Sequence, residues 1–157
     1  MIFEKTHFDI NLKYMINHEV TSLTPVFQKR VKMFFDDARS QWLYIYIFEA
    51  LRSIERQYEL FWKGRTAQEC VKNGVPASYA RPRSWKPVTW TLKSNHLTGN
   101  AIDVVFDVSK NPENFTKDWK LKKPSWSGDY HKLIPIAKKY GIRNLYPIEL
   151  CHFELDV

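Results

Sequence analysis

The sequence predicts an α+β domain in which helices pack on one side of a small, mainly antiparallel sheet. Three observations predict it. Apolar residues recur at helical spacing in separate segments, short runs of β-formers lie between those segments, and glycines or prolines punctuate the joins. A length of 157 residues suits one domain with its own core, needing neither disulfides nor a structural metal. Residues 1–157 read as a single unit, with 1–21 as an N-terminal extension and no internal repeat or low-complexity tract.

Thr24-Pro25 is an N-cap followed by proline at the first helical position, and Val26, Phe27, Arg30, Val31, Phe34, Phe35 and Ala38 then follow at helical spacing. Leu43 to Phe48 is short and β-rich, which predicts a buried strand. Ser53 can cap a second helix running to Lys63, with Gly64 placed to end it. Residues 64–87 carry two glycines and three prolines without periodicity and are expected to form a long loop. Val88 to Leu92 and Ala101 to Val108 read as strands, 107–128 as a second long loop, and Cys151 to Asp156 as the last strand. A helix is expected from Tyr130 to Tyr140, ended by Gly141 and kinked or delayed by Pro135.

Composition narrows the function. A net charge of +7 favours an anionic partner, whether nucleic acid, acidic lipid or cell wall, and the sign alone does not choose among them. The basic residues are scattered rather than blocked, which also fits a plain solvated surface. Cys70 and Cys151 stand far apart and give no disulfide framework. The first seven residues lack the layout of a signal peptide, and the longest apolar run, Trp42 to Phe48, is too short to span a bilayer. The chain is therefore expected to fold in a reducing cytoplasm, as a monomer.

The stretch Ser94-Asn95-His96-Leu97-Thr98-Gly99-Asn100-Ala101-Ile102-Asp103 sets a histidine and a carboxylate on either side of a glycine turn. Glu149-Leu150-Cys151-His152 forms a second such site. Two neutral imidazoles and a carboxylate make a ligand set for a catalytic zinc, with a position left for water on which Glu149 can work. Taken alone, His96 and Asp103 are as readily hydrogen-bonded structural residues. Glu149 and His152 share a face only if the backbone there turns or bulges, which Pro147 favours. Glu154 could be a partner that orients a ligand, but it is expected rather to face solvent. Cys151, on the opposite strand face from His152, is expected in the core rather than in a thiol dyad. His7, His18 and His131 carry no partner pattern, His131 being held in reserve at the lip of the site.

The pattern Ser-x-His-x-x-Gly-x-Ala-x-Asp, followed by acid-x-x-His, resembles the D-Ala-D-Ala metallopeptidase family over residues 22–155. That family includes D,D-carboxypeptidases, D,D-dipeptidases and phage L-alanyl-D-glutamate endopeptidases. The resemblance implies one Zn²⁺ per chain on His96, Asp103 and His152, with Glu149 as general base. Arg52-Ser53-Ile54-Glu55-Arg56-Gln57 is similar to the family's Arg-[Ser/Thr]-x-x-x-Gln segment, which implies that Arg52 meets the developing oxyanion. Gly64-Arg65-Thr66 also looks like the family's pattern. Substrate contacts are expected from Ser94, Gln57, Trp85 and Trp126, with Arg81, Arg83 and Trp119 in the groove walls.

The sequence departs from the family where Ala50 and Leu51 precede Arg52 without the usual glycine, where the acid is Glu149 rather than Asp, and where Asn144-Leu145-Tyr146-Pro147 replaces a Gly-Gly-x-Trp. The implied function is a zinc peptidase cutting the stem peptide of bacterial peptidoglycan, of the phage-endolysin kind, reaching the wall by holin release or virion delivery. The alternatives are a D-Ala-D-Ala carboxypeptidase or dipeptidase, a basic nucleic-acid-binding protein or metal nuclease, and a zinc-binding interaction domain without catalysis. No recognised nucleic-acid motif is present, so no nucleic-acid partner is expected.

Overall fold

The structure, a computed structural model, describes residues 16–79, 86–108 and 124–157. The expectations for His7, Arg81, Arg83, Trp85 and Trp119 lie outside the described residues. The elements are α1 (Pro25–Ser40), β1 (Ile45–Glu49), α2 (Ile54–Trp62), α3 (Ala67–Lys72), β2 (Ala101–Asp107), β3 (Pro124–Ser125), α4 (Tyr130–Lys139), β4 (Ile142–Leu145) and β5 (Glu149–Leu155). All strand pairs are antiparallel, in the order β1-β2-β5-β4, with β3 paired to the end of β2.

The alternation of β2 divides the molecule. Ile102, Val104 and Phe106 face the main core with Ile45, Ile47 and Phe153, while Asp103 points to the opposite face. Phe27, Val31, Phe34 and Ala38 of α1 and Leu133, Ile136 and Ala137 of α4 pack on that core. The stripe on α1 is narrower than its apolar content suggests, since Val26 is exposed. Outside this core, α2 and α3 build a smaller cluster of Phe61, Trp62, Cys70 and Val75.

Several sequence expectations change. The 64–87 segment holds the helix α3, started by a capping box in which Thr66 and Glu69 satisfy each other's backbone. Val88 to Leu92 is not a strand, because side chains of α2 and its C-terminal turn take its carbonyls. Gln57 Nε2 donates to Thr91 O at 2.6 Å and Arg65 Nη2 to Thr89 O at 2.6 Å. β4 goes unnoticed in the sequence, four residues hidden between Gly141 and a proline turn. Pro135 lies inside α4 without ending it, one turn from the helix start, where the hydrogen bond it forgoes is near the end.

Thr24 precedes α1 as expected, but its side chain does not cap the helix. Its hydroxyl donates to Asn100 Oδ1 at 2.6 Å and its N–H to Gly99 O at 3.0 Å, tying the start of α1 to the turn before β2. Gly99 closes that turn with φ 71°, and a Cβ there would stand 3.1 Å from Ser22 O and 3.2 Å from Thr24 N. Left-handed backbone and close approach both demand glycine. Gly99→Ala should therefore cost about 1–3 kcal/mol, read as a lower urea midpoint with unchanged slope. A variant as stable as the parent would show that the turn does not need this conformation.

Candidate metal centre

Register builds the site. Asp103 on β2 is directly opposite His152 on β5 and, on its other side, opposite Glu49 on β1. A cross-strand row Glu49–Asp103–His152 therefore runs over one face of the sheet. Two irregularities complete it. Between Ile47 and Glu49 the pairing slips by one residue, so Ile47 faces the core while Glu49, two residues on, joins Asp103. A second irregularity, between Asn144 and Leu145 of β4, lets Glu149 turn back toward His152, leaving Oε2 3.8 Å from Nδ1.

His96 comes from the 3₁₀ turn Asn95–Thr98, which Ser94 caps by accepting from the His96 N–H. The chain just after β1 clasps this turn twice. Arg52 N–H donates to His96 O at 3.0 Å, and His96 Nδ1 lies 2.7 Å from Ala50 O. A carbonyl can only accept, so Nδ1 carries a proton and the neutral ring presents the lone pair of Nε2 to the site. That Nε2 is buried without a hydrogen bond, 3.3 Å from Asp103 Oδ2.

His152 is oriented in the same way by a different acceptor. Its Nε2 is 3.1 Å from Glu154 Oε2, while Nδ1 faces Asp103 Oδ1 at 3.3 Å. Glu154 is buried, against the expectation that it faces solvent. Asn95 donates to it at 2.9 Å, and Arg143 holds its other oxygen at 2.7 Å. The sequence sign was present: Glu154 is two residues from His152 on one strand, hence on the same face.

One donor atom from each of His96, Asp103 and His152 lies within 4.8 Å of the others. Two imidazoles turned inward by outer acceptors, a carboxylate between them and a buried Nε2 without a hydrogen bond fit a zinc ion. The electrostatics agree. Burial raises the Asp103 carboxyl, but in the absence of metal the two histidines beside it, when protonated, more than reverse this and hold it well below the usual carboxylate range. Burial lowers His152, yet Asp103, Glu154 and Glu149 lift it from 6.5 to about 9. Without metal a proton on Nδ1 faces Asp103; metal binding must displace it. Burial pushes the Cys151 thiol up to about 12, followed by the charges of Asp103 and Glu149, so it is no thiolate nucleophile.

The remaining residues divide. Arg52 lies in the cavity wall with Nη2 shared by Glu49 and Asp103, at 3.3 Å from the latter, and Nη1 on Gln57 at 2.8 Å. Gln57 is wholly buried, spent on Arg52, Thr89 and Thr91, so it positions Arg52 and does not reach the groove. Ser94 and Trp126 do line the cavity, which measures about 600 Å³, and Trp126 packs edge-on to Phe48 at 4.7 Å. His18 packs on Phe48, and exposed His131 packs on Tyr146. Glu49 and Arg56 were missed: the only hint of Glu49 was a charge ending an apolar run, and its inward aim depends on the register slip.

The chain has the fold of several solved peptidase structures. It is similar to the L-Ala D-Glu endopeptidase ChiX of Serratia marcescens, with 19% identity, 92% of each chain covered and a TM-score of 0.51. It is similar to a mutant of the vancomycin-resistance D,D-pentapeptidase VanY, from a VanB-type cassette, in complex with Zn(II), with 19% identity, 94% of this chain and 82% of that chain covered and a TM-score of 0.52. A third likeness is to VanYB in complex with D-alanine-D-alanine, with 18% identity, 94% and 81% covered and a TM-score of 0.52. No protein-family model matches the sequence, and no curated protein matches it. At these identities what is shared is the fold.

Two outcomes follow for the metal-free and zinc-titrated protein. A ring raised from 6.5 to about 9 stabilises the metal-free fold fully below pH 6.5, and that contribution is lost as pH climbs through about 9. Thermal stability without metal should fall over this window while zinc affinity rises, with proton release on binding; a flat affinity from pH 6.5 to 9 would contradict it. Glu154→Gln should weaken zinc binding about 10–100-fold in a competition assay, and unaltered affinity would remove its orienting role.

Proposed function

We propose that this protein is a zinc-dependent peptidase that cuts the stem peptide of bacterial peptidoglycan, as an L-alanyl-D-glutamate endopeptidase of the phage-endolysin kind. The observation that carries the reading is the pair of histidines turned inward by Ala50 O and Glu154, with Asp103 between them and the carboxylate of Glu149 at the rim. The fold shared with an L-Ala D-Glu endopeptidase and with the VanY D,D-pentapeptidase supports a peptidase, and the first of these suggests the L-Ala-D-Glu bond. Among the described residues no helix is long and apolar enough to cross a membrane. Access to the wall would come by holin release or virion delivery, and the protein would act as a monomer.

His96 through Nε2, Asp103 through its carboxylate and His152 through Nδ1 would hold the ion. A bound zinc would polarise the scissile carbonyl and make water more acidic. The other steps belong to the chain. Glu149 is the carboxylate of the four that stays half exposed, 44% against 16% for Asp103. It can take a proton from the attacking water on a carboxylate oxygen and deliver it to the leaving amine nitrogen. Arg52, fixed by Glu49 and Gln57, supplies a permanent positive charge beside the site where the carbonyl oxygen gains negative charge. Ser94 and Trp126 would contact the peptide from the cavity wall.

Glu149→Gln should retain one zinc and the fold while losing about 10²–10⁴-fold in turnover, whereas His152→Ala should lose both zinc and turnover. A nearly fully active Glu149→Gln would move the base elsewhere. Digestion of purified murein followed by mass spectrometry of the new termini should show L-Ala carboxyl and D-Glu amino ends; release of terminal D-Ala would instead make the protein a carboxypeptidase.

A further inference from the structure

Among the described residues, the cavity around the metal centre is electrically lopsided. Arg56 and Leu60 of α2 and Lys63 at its C-cap follow at i, i+4 and i+7 and line it together. Facing this stripe is the non-helical segment of Val88, Thr89, Thr91 and Lys93, of which the last three alternate and also line the cavity. The two walls are fixed to each other by Gln57 on Thr91 O and Arg65 on Thr89 O. The result is a framed arm carrying three cations.

Their charges are unevenly answered. Arg56 gives Nε to Glu49 at 3.2 Å and Nη1 to Glu59 at 3.3 Å. Glu49 is itself shared with Arg52. No carboxylate among the described residues pairs with the ammonium of Lys63 or of Lys93. Away from this arm, the described wall residues Phe48, Trp126, Leu145 and Glu149 include no cation. A peptide lying across the centre meets positive charge on the α2 side and apolar or acidic groups on the other.

We infer that the arm between α2 and residues 88–93 is a carboxylate subsite, in which Lys63 and Lys93, beside Arg56, select substrates bearing a free carboxylate near the scissile bond. This rests on the peptidase reading for its substrate and deepens it by naming the charge that substrate must carry. Each paired, charge-assisted hydrogen bond is stronger than its neutral counterpart, so the preference should be measurable.

The test is an NMR shift titration of the zinc-loaded protein, which reports binding and shows any cleavage products in the same spectra. The probes are acetylated L-Ala-D-Glu with one carboxyl free and acetylated D-Ala-D-Ala with its terminal carboxyl free, each beside its fully amidated twin. At least one acid should bind roughly tenfold or more tightly than its amide, and whichever does identifies the source of the carboxylate. The preference should disappear in K63Q/K93Q and persist in K29Q/K138Q, which removes equal charge from α1 and α4. Equal binding of acid and amide would overturn the subsite. So would a preference surviving in K63Q/K93Q, since the carboxylate would then be seated elsewhere, on the metal for instance. An acid preference that depends on both lysines, without cleavage of any probe or of murein, would uphold the subsite while removing the peptidase reading.

Discussion

The antiparallel register of β2 at Asp103 is the constraint on which this site depends. That one residue faces His152 across one strand pair and Glu49 across the other, and it receives His96 from the turn that leads into its own strand. A slip of one residue would send Asp103 into the apolar core and bring Ile102 or Val104 to the site. The core specifies the register against such a slip. Ile102, Val104 and Phe106 are buried against α1 and α4, so the packing that stabilises the fold also aims the ligands.

A carboxylate as buried as Asp103 would be costly without partners. Here it has two imidazoles and the Arg52 guanidinium, and Arg52 in turn is held by Glu49 and Gln57. The polar network extends outward in both directions, through Arg56 on one side and through Glu154 to Asn95 and Arg143 on the other. Networks of this kind fix geometry where their members are satisfied; here Arg52 Nε and His96 Nε2 lack a hydrogen bond, and the second is the atom a metal would take up. Backbone atoms share the task, since Ala50 O sets the tautomer of His96 and Arg52 N–H holds its turn.

Much of this was legible in the sequence, and most of the unread parts share a cause. α1, α2 and α4 announce themselves by caps and periodicity, and the ligands by residue type around Gly99. α3 was missed although its Thr66–Glu69 capping box is a local sign; most of the rest was set by tertiary contacts or by bulges. Glu49 looks like the end of an apolar strand until a register slip turns it, and Glu154 looks solvated until Arg143 and Asn95 cover it. Val88 to Leu92 has strand composition, but Gln57 and Arg65 take the carbonyls a ladder would need. Gln57 shows the reverse error: its place in the segment after Arg52 suggested a substrate contact, whereas complete burial makes it a strut.

If His96, Asp103 and His152 form one metal centre, with the two rings turned by Ala50 O and Glu154, a single zinc must sit between them. Anomalous diffraction at the zinc edge, from crystals of the zinc-loaded protein, tests it most directly. A single strong peak per chain is expected, coordinated by His96 Nε2, the Asp103 carboxylate and His152 Nδ1, with Nε2 of His152 still on Glu154. A peak elsewhere, or one bound through His152 Nε2 with Glu154 displaced, would contradict it.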